Sequence, residues 1–147
     1  MEDQQAAPSC GLTDASDRAL AGAQRAGYYA GIITHTVAEA ERPTVNTIRA
    51  VLYALEAVVR AEAVARQAEQ EAAELWWEHD SLPRTPEQAA LYETAAHCAR
   101  AAVESRTKAV YAALASVRAF VWWVGGAQAT AAADRLERIL KTPPRSA

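Results

Sequence analysis

Apolar residues recur along this chain at intervals of three and four, the spacing that keeps side chains on one face of a helix. Val45, Ile48, Leu52, Leu55 and Val59 form such a stripe, and Val51 and Val58 widen it, so this half meets more than one neighbour. From Arg60 to Glu74 the stripe thins to Ala61, Val64, Ala65, Ala68 and Ala72 beneath heavy charge. Leu75, Trp76 and Trp77 then arrive together. Thr44 is a good N-cap, so the pattern predicts one helix over 45–79.

Three more helices follow from the same reasoning. The first starts after Thr13 or Asp14, either of which can cap it, and runs to about Glu41, where Arg42-Pro43 breaks it. Its face carries Ala19, Ala23, Ala26 or Gly27, Ala30, Thr34 and Val37. Gly27 and Gly31, four apart, are expected to let a neighbouring helix approach closely. The third helix begins at Pro86, with Thr85 as N-cap and Gln88 completing a capping box. It runs to about residue 124 with Val103, Val110, Val117 and Val124 spaced by seven, and its second half is apolar on nearly every face, which predicts a central place. Gly125-Gly126 marks a break before a short last helix over 127–140, closed by Pro143-Pro144.

Short connections make consecutive helices antiparallel neighbours. The expected fold is therefore all-α, an antiparallel up-and-down helical bundle of three long helices and a short C-terminal one. Residues 13–141 form the single domain, with residues 1–12 and 142–147 as disordered tails. Folding back across Arg42-Pro43 sets residue i roughly level with 86 − i, and folding back across the 80–86 loop sets it roughly level with 167 − i, each residue being worth about 1.5 Å of height.

All four tryptophans come as neighbouring pairs, Trp76-Trp77 and Trp122-Trp123. Adjacent helical side chains diverge by about 100°, so neither pair fits one narrow seam. Trp76 and Trp77 lie beside the 80–86 loop, where the thin alanine stripe offers little cover. This pair is expected to leave one ring for a partner protein. Trp122 and Trp123 map to the opposite end, near Pro43 within the most apolar helix, and are expected to be mainly core.

Composition sharpens this reading. Alanine, the best helix former, supplies 37 of 147 residues, while Gly and Pro are few and the Pro lie between or outside the periodic segments. The net charge of −3, with basic residues interleaved with acids, gives no concentrated basic face, so neither nucleic acid nor a membrane is an expected partner. Residues 109–133 carry one charge, Arg118. A mid-span arginine costs about 2.5–3.5 kcal/mol on insertion scales, and a buried core helix is the better reading. Two cysteines, Cys10 and Cys98, make no disulfide framework, and the acidic N-terminus has no signal-peptide pattern, so the expected location is cytoplasmic.

Candidate chemistry is sparse. His35, His79 and His97 fall at three different heights, against a shared metal. His35 with Glu39 and Glu93 with His97 read as exposed i,i+4 pairs. Cys98 beside His97 points another way round the helix, so no nucleophile pair forms; Cys98 reads as a small core residue. No phosphate-binding, serine-hydrolase or zinc motif occurs. Tyr28 or Tyr29, Tyr53 and Tyr111 come to similar heights and are the candidate lining of a ligand cavity. Trp123-Val124-Gly125 is similar to the Trp-x-Gly turn of small helical-hairpin secretion substrates. Their Tyr-x-x-x-Asp/Glu signal is missing, and the chain is not assigned to them.

The functional expectation is a non-enzymatic accessory protein, without cofactor or metal, that binds another protein through its helical surfaces. The alanine-rich composition suits a GC-rich bacterial genome, where such proteins often serve multi-protein systems, defence or conflict systems among them; this step is association. The alternatives are a small-molecule-binding bundle or enzyme built on the Tyr layer, and a self-assembling homo-oligomer.

Overall fold

The computed structural model describes residues 2–78 and 85–141, and side chains over residues 11–77 and 85–141. The tail 142–147, His79 and the loop through Arg84 lie outside the described residues, as does the side chain of Cys10. The architecture is all-α, with no strand among the described residues: α1 (Glu2–Glu39), α2 (Val45–Glu78), α3 (Pro86–Trp123) and α4 (Gly126–Lys141).

The ends of the helices are set by local chemistry. Thr85 Oγ1 accepts the Gln88 backbone N–H at 3.1 Å, and Gln88 Oε1 accepts the Thr85 N–H at 3.1 Å, a complete capping box with Pro86 at the first position. Thr44 Oγ1 accepts the Thr47 N–H at 3.2 Å at the head of α2. Val124 donates to the Phe120 carbonyl at 2.9 Å and Gly125 to that of Val121 at 3.2 Å. Gly125 and Gly126 then take φ of 63° and 76°, a left-handed reversal that turns the chain into α4.

One expectation is corrected at the start of the chain. Helix α1 begins at Glu2, so Thr13 and Asp14 lie inside it and do not cap it, and the residues expected to form a disordered tail as far as residue 12 are helical from Glu2. The reason is packing. Leu12, Ala15 and Ala19 are buried and share one face, and Gly11 lies against Leu75 of α2, so the inward stripe carries the helix through the candidate caps.

The buried residues form two clusters. Toward the beginning of α1 the interior is Leu12, Ala15, Ala19, Ala68, Ala72, Ala95 and Cys98, drawn from three helices. The larger cluster takes in Ile33, Ile48, Leu52, Leu55, Val58, Val117 and Phe120, and α4 closes it with Ala129, Leu136 and Ile139. Helix α3 touches all three other helices, whereas α4 packs on α2 and α3.

Contacts between helices pair early residues of one with late residues of the next. Gly11 meets Leu75, Arg18 donates to Glu71, and Gly22 lies on Ala61 and Ala65. Between α2 and α3, Glu62 meets Arg106 and Trp76 meets Tyr92.

Candidate functional site

The two rings of the first tryptophan pair have different surroundings. The Trp76 ring stacks on Tyr92 of α3, with centroids 5.3 Å apart and planes 13° from parallel. Trp77, about 100° further round the helix, stays 61% exposed. One ring of this doublet thus stacks on α3, and the other is mostly exposed.

The second pair departs from expectation. Trp122 is 83% exposed, and Trp123 is also exposed, as are Val121 and Val124 beside them, so the doublet is not core. Its height is as expected, since the Arg42 guanidinium sits 4.3 Å over the Trp123 ring, next to Pro43. The burial differs because the inner seat at this level belongs to Phe120, which packs with Val117, Ile48 and Leu52. After Gly125 the chain turns back to cover that inner side. Among the described residues no helix stands opposite the outer side of α3, and Tyr111 on the same side is 70% exposed. The second half of α3 is therefore central in its contacts yet bare on one face. Of its valines spaced by seven, Val117 is buried while Val103 and Val124 are exposed.

The Tyr layer does not close into a cavity. Tyr28, Tyr53 and Tyr111 are exposed, and Tyr28 and Tyr29 meet edge to face at 5.2 Å. Tyr29 and Tyr53 do share an open groove of about 430 Å³, with Arg25, Glu56 and Arg60 on its walls. Helical spacing gives these rings similar heights only, and the structure turns Tyr28, Tyr53 and Tyr111 outward.

The close-packing glycines are likewise elsewhere. A Cβ on Gly31 would meet open space, and one on Gly27 would reach only Ser105 Oγ at 3.9 Å. Both residues are exposed. Gly22 is the close contact: its Cβ would lie 2.8 Å from the Ala61 carbonyl oxygen and 2.9 Å from the Ala65 nitrogen. Sequence spacing alone favoured the Gly27–Gly31 pair. The register of the buried stripe selects Gly22, which lies seven residues from Ala15 and three from Ala19.

Glu62 was not singled out by the sequence reading. Its side chain is 1% exposed. Arg66 Nη1 donates to its Oε1 at 3.2 Å. Arg106 Nε stands 3.1 Å from Oε2, a charge contact whose angle falls short of a hydrogen bond. A carboxylate taken out of water needs such partners. The signal was available: Ile48, Leu55 and Glu62 are spaced by seven, so Glu62 continues the buried stripe. Nearer the first tryptophan pair, Arg18 donates to both Asp14 and Glu71. The hydrogen bond to Glu71 raises the guanidinium above its ordinary value.

His35 and Glu39 form an exposed pair at 3.4 Å, and His97 is exposed on α3. Among the described residues no three His, Cys, Asp or Glu side chains gather as a metal site, and no helix is long and apolar enough to cross a membrane. Cys98 is buried, and burial pushes its thiol up from the ordinary value.

These features define an all-α protein with a largely alanine interior and outward-facing aromatic rings. No protein-family model, curated protein or solved structure matches the chain.

Proposed function

We propose that this chain is a non-enzymatic interaction protein, an antiparallel up-and-down bundle that binds other proteins on the rings it carries outside. The observation that carries the reading is an inversion of the usual order. Alanine fills much of the interior, while Trp77, Trp122, Trp123, Tyr28, Tyr53 and Tyr111 are exposed. A ring of this size removes about 150–250 Å² from water when covered, and tryptophan and tyrosine are over-represented among residues that dominate binding energy. The early-with-late pairing of α1 with α2 and of α2 with α3 supports the antiparallel arrangement.

At the first tryptophan pair, Trp76 serves as an anchor stacked on Tyr92, and Trp77 is the ring offered to a partner protein. A photo-crosslinking residue in place of Trp77 tests this in the source cells, with the same residue in place of exposed Gln24 as control. A discrete heterologous adduct at 77 and none at 24 is expected. Equal labelling at both positions removes Trp77 from the contact.

A further inference from the structure

The outer face of α3 carries Arg100, Glu104, Tyr111, Arg118 and Trp122, all exposed. At 100° per residue these five fall within about 40° of one another around the helix. They are opposite Ala102, Ala109, Ala113 and Phe120, which are buried, so nothing among the described residues covers them. Arg100, Glu104 and Arg118 make no ion pair among the described residues. Glu104 stays apart even from Arg100 and Lys108, which are four residues away on either side.

The order of these residues is palindromic in chemistry. Glu104 lies seven residues before Tyr111 and Arg118 seven after it; Arg100 lies eleven before and Trp122 eleven after. A two-fold axis through Tyr111 therefore sets each member of the series against its complement. From this the geometry points to a second copy of this chain as the occupant of the face, with the two α3 helices antiparallel. Tyr111 meets Tyr111 of the second copy on the axis. Glu104 faces Arg118 of the second copy, and Arg100 lies over the ring of its Trp122, each contact occurring twice.

Such an isologous patch is self-complementary by symmetry, as a closed dimer requires. A parallel pair would place Glu104 against Glu104 and Arg118 against Arg118, and so is repelled. The face spans the six turns from Arg100 to Trp122, about 33 Å. One helix face of that length is at the small end of specific interfaces, so the dimer is reversible in the micromolar range. Arg–carboxylate pairs fix its register, and the Arg–Trp contacts and the central tyrosines supply the apolar cover.

The inference rests on the reading of the outward rings as contact surfaces, and it names the partner of one of them. Sedimentation velocity on the full chain, from low to high micromolar concentration, tests it with charge exchange. Wild type is expected to pass from monomer to dimer. Glu104→Arg and Arg118→Glu, each at an exposed position, are expected to weaken self-association by about tenfold or more. Mixing the two variants restores dimer as a heterodimer, because each then supplies what the other lacks. Circular dichroism checks that both retain the helical signal. A wild type that stays monomeric overturns the inference, as does a Glu104→Arg dimer of unchanged strength or a mixture that fails to associate. None of these outcomes touches crosslinking at Trp77, which judges the broader reading separately.

Discussion

The two halves of this molecule are built from the same alanine-rich helices yet hold together differently. Around Phe120 four helices enclose isoleucine, leucine, valine and phenylalanine among alanines, and burial of methylenes at about 0.8 kcal/mol each can stabilise the fold directly. Around Ala15, Ala19, Ala68, Ala72 and Ala95 three helices enclose mainly methyl groups, with Leu12 and Cys98 beside them. There Arg18 ties α1 to Glu71 of α2, and where the two clusters join, Gly22 lies on Ala61 and Ala65 and Glu62 stands between Arg66 and Arg106. The difference teaches that α4 is the device that lets one half accept Phe120.

Substitutions can break that contrast. Phe120→Ala leaves a large void and is expected to cost about 3–5 kcal/mol in urea unfolding, against about 2 kcal/mol for Leu12→Ala at the alanine end. Equal losses would mean that both halves are equally deep. Glu62→Gln keeps the shape but removes the charge shared by two arginines, with an expected cost of about 1–3 kcal/mol. Because Arg66 is half exposed and can turn to water, the value belongs at the lower side of that range. A neutral result would show that the carboxylate is incidental to the packing of α2 on α3.

The glycines sharpen the comparison by sign. Gly22→Ala drives a methyl into backbone atoms of α2 and is expected to destabilise by about 1–3 kcal/mol. Gly31→Ala meets open space inside a helix and is expected to stabilise by about 0.5–1 kcal/mol. If Gly22→Ala raises the melting temperature as Gly31→Ala does, the close approach of α1 and α2 at Gly22 is wrong. In hydrogen exchange, amides of residues 48–58 should outlast those of 68–75, since local opening follows the depth of apolar packing.

The smallest effect concerns Cys98 in the alanine half. Its thiol is raised by burial, so at alkaline pH the folded chain keeps a proton that the unfolded chain has lost. Stability from this group falls as pH rises through the unfolded thiol's value, about 8.5. In a Cys10→Ser background a disulfide reagent should label Cys98 far more slowly in buffer than in urea. Equal rates would put the thiol at the surface.

Much of this fold was legible because helix ends are local chemistry. Thr85, Pro86 and Gln88 announce the head of α3, Thr44 that of α2, and Gly125-Gly126 the reversal before α4. What misled were the features that depend on a neighbour. Thr13 has the look of a cap, but Leu12 has an inward seat beyond it. Trp122 and Trp123 lie in an apolar run, but whether a run is buried is decided by what stands opposite, and α4 covers only one side. Helix periodicity reports that a residue shares a face with others and says nothing of whether that face looks in or out when both faces are apolar. Glu62 shows the converse, since its charge concealed a position that the seven-residue spacing marks as interior.

The reversal at Gly125 and Gly126 has one more consequence. A Cβ on either residue would meet nothing within 4 Å, so size does not reserve these positions for glycine. Handedness does: left-handed backbone costs an L-residue about 1–2 kcal/mol, and here two such residues stand in succession. The corner that lets α4 fold back is therefore a question of chirality, and amino acids of mirror-image configuration would satisfy its backbone where no coded side chain does so without strain.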